Sequence, residues 1–205
     1  METICGIDEA GRGPLAGPVT AAAVIFGPDG PGCAVTDSKR LSSRARASRE
    51  ISIRQTCFWG IGWAWPREID ALNIHHATLL AMRRAFTALD REQKRWANGS
   101  VPRVTVLVDG AFVPSLPVSC RAVVGGDRLV PQISAASILA KEARDRWMRC
   151  YHREEPQFGF DRHMGYPTEF HRRMIARFGV SRIHRHSFAS PANEGGTPER
   201  IIPSA

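Results

Sequence analysis

What this chain lacks narrows its chemistry before any motif is read. No stretch approaches the roughly 20 consecutive apolar residues of a bilayer-spanning helix, and Met1-Glu2-Thr3-Ile4-Cys5 does not place a basic segment before an apolar one, as a secretory leader does. A cytoplasmic protein with no membrane partner is therefore expected. The five cysteines, Cys5, Cys33, Cys57, Cys120 and Cys150, are odd in number, widely spaced and never in a Cys-x-x-Cys pair, which excludes thiolate zinc and redox-exchange motifs. His75, His76, His184 and His186 lack ligand spacing and read as surface or packing residues. Lysine is nearly absent: only Lys39, Lys94 and Lys141 stand among 28 basic residues. The rest are arginines, whose planar fork suits phosphate.

What is present is a chain of 205 residues, 43% hydrophobic, long enough to bury a core without disulfides or metal clips. One domain over residues 1–190 is expected, followed by a flexible tail at 191–205, where three prolines and Gly195-Gly196 interrupt a segment without periodicity. The net charge is +8, and its location says more than its size. Between Lys141 and His186 lie 11 Lys or Arg against 6 Asp or Glu, together with five of the seven histidines. A basic region at about 141–188 is the electrostatic footprint of a polyanion-binding protein, because neutralised phosphates release condensed counterions.

Hydrophobic patterning predicts the elements. Thr3–Ile7 reads as a buried strand, Val19–Phe26 as a second closed by Gly27-Pro28-Asp29-Gly30, and Cys57–Trp65 as a third, together an antiparallel meander. Leu72, Leu79, Met82, Phe86, Leu89 and Trp96 recur at helical spacing, predicting a long crossover helix ended by Asn98-Gly99. Val104–Val108 and Ser119–Val124 read as further strands, and Gln132 to about Tyr151 as an Ala-rich helix. A last helix is predicted from Glu169 to Phe178, capped by Thr168 and stopped by Gly179, with Phe170, Met174 and Phe178 on one face and Arg172, Arg173 and Arg177 on the others. The fold class is α/β, a mixed β-sheet flanked by helices with a C-terminal helical region.

Asp8, Glu9, Asp109 and Asp127 all fall where predicted apolar strands stop, and in open α/β sheets sites form at strand ends. Carboxylates converging there repel one another, and a hard divalent cation, Mg²⁺ or Mn²⁺, is the compensation their oxygens prefer. Two such ions would activate a water and stabilise a leaving oxygen in phosphodiester cleavage. Any one of these acids also suits a cap or a turn. Strand neighbours point to opposite faces, so Asp8 and Glu9 reach one site only if the backbone turns; Gly11 and Gly13 would allow that.

The run Ile7-Asp8-Glu9-Ala10-Gly11-Arg12-Gly13-Pro14-Leu15-Ala16-Gly17-Pro18-Val19 resembles the N-terminal signature of ribonuclease HII, the type 2 ribonuclease H family. The resemblance continues in order through Asp37-Ser38-Lys39-Arg40-Leu41-Ser42, Ile69-Asp70-Ala71-Leu72-Asn73-Ile74, Val108-Asp109-Gly110, the Ile133–Lys141 segment, Gly165-Tyr166-Pro167-Thr168 and His184-Arg185-His186-Ser187-Phe188. It covers about residues 3–190 and implies a ribonuclease H-like fold. The implied activity is cleavage of the RNA strand of RNA–DNA hybrids and on the 5′ side of a lone ribonucleotide in duplex DNA, leaving 5′-phosphate and 3′-hydroxyl ends.

The resemblance implies that Asp8, Glu9, Asp109 and Asp127 are the catalytic metal-binding carboxylates, with Mn²⁺ or Mg²⁺ as cofactor. It associates Gly11-Arg12-Gly13 with sensing of the ribose 2′-hydroxyl and Tyr166 with packing on the sugar at the RNA–DNA junction, and it marks Lys39, Ser137 and Lys141 as phosphate contacts. A monomer is expected. The sequence departs from the pattern at Gly125 and Met164, where lysine is common, and at Ala111, where asparagine is. A noncatalytic hybrid-binding protein, or another nuclease of the same broad fold, would share parts of this constellation but not all four carboxylates with the Gly-Arg-Gly and Gly-Tyr-Pro-Thr blocks.

Overall fold

The computed structural model describes residues 3–35, 41–96 and 104–188. The expected end of the crossover helix at Asn98-Gly99, Lys39 and the tail at 191–205 lie outside the described residues. The chain runs β1 (Thr3–Ala10), β2 (Val19–Phe26), α1 (Ser43–Thr56), β3 (Cys57–Ala64), α2 (Pro66–Trp96), β4 (Val104–Asp109), β5 (Ser119–Val123), α3 (Gly126–Leu129), α4 (Pro131–Tyr151), a 3₁₀ turn (Pro156–Phe158), α5 (Phe160–His163) and α6 (Glu169–Phe178). The mixed sheet has the order β3-β2-β1-β4-β5. β1 pairs antiparallel with β2 and β2 with β3, the expected meander, while β4 lies parallel to β1 on its other side and β5 parallel to β4.

Both faces of the sheet are covered, which explains why the strands read as nearly continuous apolar runs. On one face Ile7, Ala23, Ile25, Val106 and Val108 pack with Ala81, Phe86 and Leu89 of α2. On the other, Ala22 and Val24 pack with Ile53 of α1 and Ala136, Ile138 and Leu139 of α4. α2 sits unusually close to β3: a Cβ at Gly62 would lie 2.0 Å from the Ala81 carbonyl oxygen, so only glycine admits the helix there. A third cluster, Ala16, Met148, Phe158, Phe160 and Ile183, ties the loop after β1 to the C-terminal segments.

Several boundaries differ from the sequence reading, each for a local reason. β1 runs on through Asp8, Glu9 and Ala10, because these residues still pair with Ala22, Ala21 and Thr20. α2 starts at Pro66, six residues before Leu72, and kinks at Asn73, whose φ of 64 breaks the helix and whose side chain accepts from the His76 N–H to start it again. α1 carried no apolar stripe to announce it: its only buried side chains are Glu50 and Ile53. α6 has the predicted bounds and caps, with the Thr168 hydroxyl accepting from His171 N–H and Gly179 ending the helix at positive φ. Its one fully buried side chain is His171, while the predicted face packs beside it: Met174 against the third cluster, Phe170 against the His163 ring and the half-exposed Phe178 against the edge of Phe158. The cysteines are free, and no helix among the described residues is long and apolar enough to cross a membrane.

Candidate active site

Register brings the carboxylates together. The last parallel pair between β1 and β4 is Ile7 with Val108, so Asp8 and Asp109 stand one step further along, at the same level of the sheet. Asp109 is itself the last residue of β4 and pairs with Val123 of β5. Gly125, in the left-handed region at φ 68, then turns the chain into α3 and sets Asp127 within its first turn, where the Asp127 N–H donates to Asp109 Oδ1 at 3.4 Å. Asp8, Glu9 and Asp109 thus lie at strand termini rather than beyond them, and Asp127 follows β5 by four residues.

No turn was needed to bring Glu9 to the site. Asp8 shares the face of its partner Ala22, towards α4, where its carboxylate accepts from the Ser137 hydroxyl and from the Glu9 N–H at 2.7 Å. Glu9 leaves the strand on the other face, with Ala21, but sits so near the end of β1 that its longer side chain reaches the same cleft, steadied by Arg12 Nη1 at 3.4 Å. That cleft, of about 480 Å³, is lined by Asp8 to Gly13, Arg46, Asp109, Ser137, Lys141 and Tyr166. A larger cavity of about 760 Å³ lies beside Arg54, Cys57 and Trp59 at the far sheet edge, but no cluster of acids lines it.

Burial is the first cause that pushes the Asp8 carboxyl well above the usual carboxylate range, and the charges of Glu9 and Asp109 push it further. Burial also raises Glu9, against the pull of Arg12. Glu9 Oε2 is buried with no hydrogen-bond partner among the described residues. Buried oxygens left over beside like charges are acceptors waiting for a cation. Among the described residues no group of three acidic, histidine or cysteine side chains stands close enough to form a finished ligand shell. The carboxylates therefore form an open mouth whose electrostatics are incomplete.

The expected substrate residues line the same cleft, apart from Lys39. Tyr166 is partly exposed, and a Cβ at Gly13 would lie 3.7 Å from its ring, so loop and tyrosine are neighbours. Gly11 has a different neighbour from the sugar that its resemblance implies: a Cβ there would lie 2.0 Å from Arg144 Nε, beneath the loop. Lys141 donates to Asp145 at 2.9 Å. Arg46, which the sequence reading missed because α1 was missed, lines the cleft and is held by Glu142 at 2.9 Å. Ser42 accepting from the Ala45 N–H was the available signal of that helix start.

The departures from the family pattern also find places. Gly125 adopts a conformation that favours glycine, and Arg128 supplies a cation nearby, its Nη2 3.9 Å from where a side chain at 125 would begin and its Nε 3.9 Å from Asp127 Oδ1. Met164 is left-handed at φ 49, with its carbonyl engaged by Arg144. Ala111 is exposed just after Asp109-Gly110. Asp70 accepts from the N–H groups of His186 and Ser187 and from the Ser187 hydroxyl, pinning the C-terminal turn to α2.

The family model described as Ribonuclease HII matches residues 5–191. The chain is 48% identical over 192 residues to a ribonuclease HII of Dechloromonas aromatica, covering 93% of each chain. It is 50% identical over 187 residues to one of Nitrosospira multiformis, covering 91% of this chain and 89% of that one. Among solved structures, ribonuclease H2 from Pyrococcus horikoshii superposes with a TM-score of 0.66 at 22% identity, over 91% of this chain and 94% of the other.

Proposed function

The chain belongs to the ribonuclease HII family, and from this premise we propose that it cuts the RNA strand of RNA–DNA hybrids and the bond 5′ to a lone ribonucleotide in duplex DNA, leaving 5′-phosphate and 3′-hydroxyl ends. Its service is removal of ribonucleotides from DNA, by a monomer in the cytoplasm. The observation that carries the reading is a single cleft in which buried, mutually repelling carboxylates meet the Gly11-Arg12-Gly13 loop and Tyr166.

Asp8, Glu9, Asp109 and Asp127 would hold Mg²⁺ or Mn²⁺: the donors are all hard oxygens, and the unpartnered Glu9 Oε2 fits a ligand role. Bound there, a pair of such ions supplies activation of the attacking water and charge for the leaving oxygen. The chain's own residues do the rest. Ser137 holds Asp8 through a hydrogen bond that favours its charged form. Lys141 and Arg46 stand on the cleft wall as cations for the flanking phosphates. Tyr166 offers its ring to the sugar beside the loop, and peptide groups of the loop can approach a 2′-hydroxyl because glycine carries no side chain.

The test is cleavage of a labelled DNA duplex carrying one ribonucleotide, beside an all-DNA duplex and a full hybrid, with Mg²⁺, Mn²⁺ or EDTA. A metal-dependent cut 5′ to the ribonucleotide and none on all-DNA is expected. Binding without cutting under every metal would replace this reading with a noncatalytic hybrid-binding one.

A further inference from the structure

Arg144 of α4 and Arg185, after α6, are two of the most deeply buried side chains in the molecule, 1% and 0% exposed. Every hydrogen bond the structure gives their guanidinium groups ends on a main-chain carbonyl. Arg185 donates from Nε to Gly17, from Nη1 to Arg12 and from Nη2 to Gly11, at 2.9, 2.9 and 2.6 Å. Arg144 donates from Nε to Pro18, from Nη1 to Met164 and from Nη2 to Ala16, at 2.8, 2.9 and 3.1 Å. Five of these six carbonyls belong to the loop between β1 and β2, and the sixth lies two residues before Tyr166.

This arrangement has a geometric consequence. In a trans peptide the C=O of one residue and the N–H of the next point in opposite directions, and the described residues contain no cis peptide. With the Gly11 and Arg12 carbonyls drawn down onto Arg185, the N–H groups of Arg12 and Gly13 point the other way. Arg12 and Gly13 line the cleft. Two successive N–H groups aimed at one side form a small concavity for an oxygen ligand. The glycine at 11 belongs to the same design, since a side chain there would collide with Arg144. Backbone bonds fasten the arrangement: Leu15 N–H to Gly165 O at 2.9 Å, Gly17 N–H to Ile183 O at 2.8 Å and Arg185 N–H to Leu15 O at 2.8 Å.

We propose that Arg144 and Arg185 are positioning residues for ribose recognition: from beneath, they hold the loop carbonyls inward so that the Arg12 and Gly13 N–H groups face the 2′-hydroxyl, and they lock Tyr166 to the loop. The proposal rests on the reading of the loop as the ribose sensor. Arginine is required because three donors spread along a planar fork span three carbonyls, whereas the lysine ammonium radiates its donors from one point. Burial pushes both guanidinium groups below their ordinary range, against opposing pulls that include Asp145 at Arg144 and Asp70 at Arg185, the strain expected of cations kept for geometry.

The experiment measures binding, in an Asp8→Asn background that separates recognition from turnover. Affinities for a duplex with one ribonucleotide and for the same duplex in all-DNA form are compared by fluorescence anisotropy, with and without Arg185→Lys or Arg144→Lys. Circular dichroism and melting verify folding. Both lysine variants keep the charge, so affinity for all-DNA is expected to change less than about twofold, while the preference for the ribonucleotide duplex falls at least about tenfold. Amide exchange at residues 11–14 is expected to quicken in parallel. Arg173→Ala, on the exposed face of α6, is the control that weakens both duplexes alike. An undiminished ribonucleotide preference in folded lysine variants, or unchanged exchange in the loop, would overturn the assignment alone. Equal affinities in Asp8→Asn with both arginines intact would overturn the ribose-sensor reading on which it stands.

Discussion

Two buried clusters of like charge flank the same loop, and they are built on opposite principles. At the mouth of the cleft, Asp8, Glu9 and Asp109 repel one another and leave an oxygen without a hydrogen-bond partner among the described residues. Beneath the loop, Arg144 and Arg185 also sit side by side without a direct ion pair among the described residues, yet their six hydrogen bonds reach backbone carbonyls. The acids are unfinished toward solvent; the arginines are finished toward the protein. Unfinished electrostatics give a place for ligand chemistry, and finished electrostatics give a shape.

Removing a member of each cluster should therefore produce opposite results. Asp8→Asn is expected to lower cleavage of the ribonucleotide duplex at least about 10³-fold, while melting in EDTA stays level or rises because a repulsion has gone. Persistent cleavage would show that the acids are not the reacting mouth, and a large fall in melting temperature would show that they hold the fold. Arg144→Met should do the reverse in stability: it strands the Ala16, Pro18 and Met164 carbonyls and costs about 2 to 4 kcal/mol in urea unfolding. A cost below about 1 kcal/mol would mean that the loop finds other donors and that the contrast is false.

The smallest effect concerns a third buried group. His171 Nδ1 meets the Tyr166 carbonyl at 2.8 Å, its Nε2 meets His184 Nε2 at 3.0 Å, and His184 Nδ1 accepts from the Ser181 N–H at 2.7 Å. This chain is satisfied when both rings are neutral, with His184 donating to His171 and His171 to Tyr166; a further proton would set two N–H groups face to face. Burial accordingly lowers both groups to about 4, with the neighbouring His163 adding to the shift, while Glu155 opposes it at His184. Because the folded value lies below the ordinary 6.5, the unfolded chain takes up protons first as pH falls. Stability is complete above about pH 6.5 and declines toward pH 4. Urea midpoints measured across that range should fall with pH in the parent and flatten in His171→Phe; equal slopes would place the sensitivity elsewhere.

Legibility followed chemical oddity. Acidic residues at the ends of apolar strands are conspicuous in sequence, and parallel register then set Asp8 and Asp109 level. The bounds of α6 were legible because Thr168 and Gly179 are local signals whose partners lie within a turn. The arginine pair was not: in the count between Lys141 and His186 both arginines read as part of a basic face, yet they are interior. Nor was Arg46, carried by a helix whose buried side is Glu50 and Ile53. His184, read as a surface or packing residue, is buried, but its partner His171 lay hidden in a face that looked aromatic and basic.

The sequence by itself determined the strands and helices that depend on near neighbours, the acids available for a metal and the family to which these blocks belong. The tertiary structure alone decided which charges are left open and which are closed. The acceptors that close Arg185 are 168 to 174 residues away along the chain, and those that close Arg144 are 20 to 128 away. A guanidinium looks the same in sequence whether water or carbonyls surround it; only folding determines which solvent it keeps.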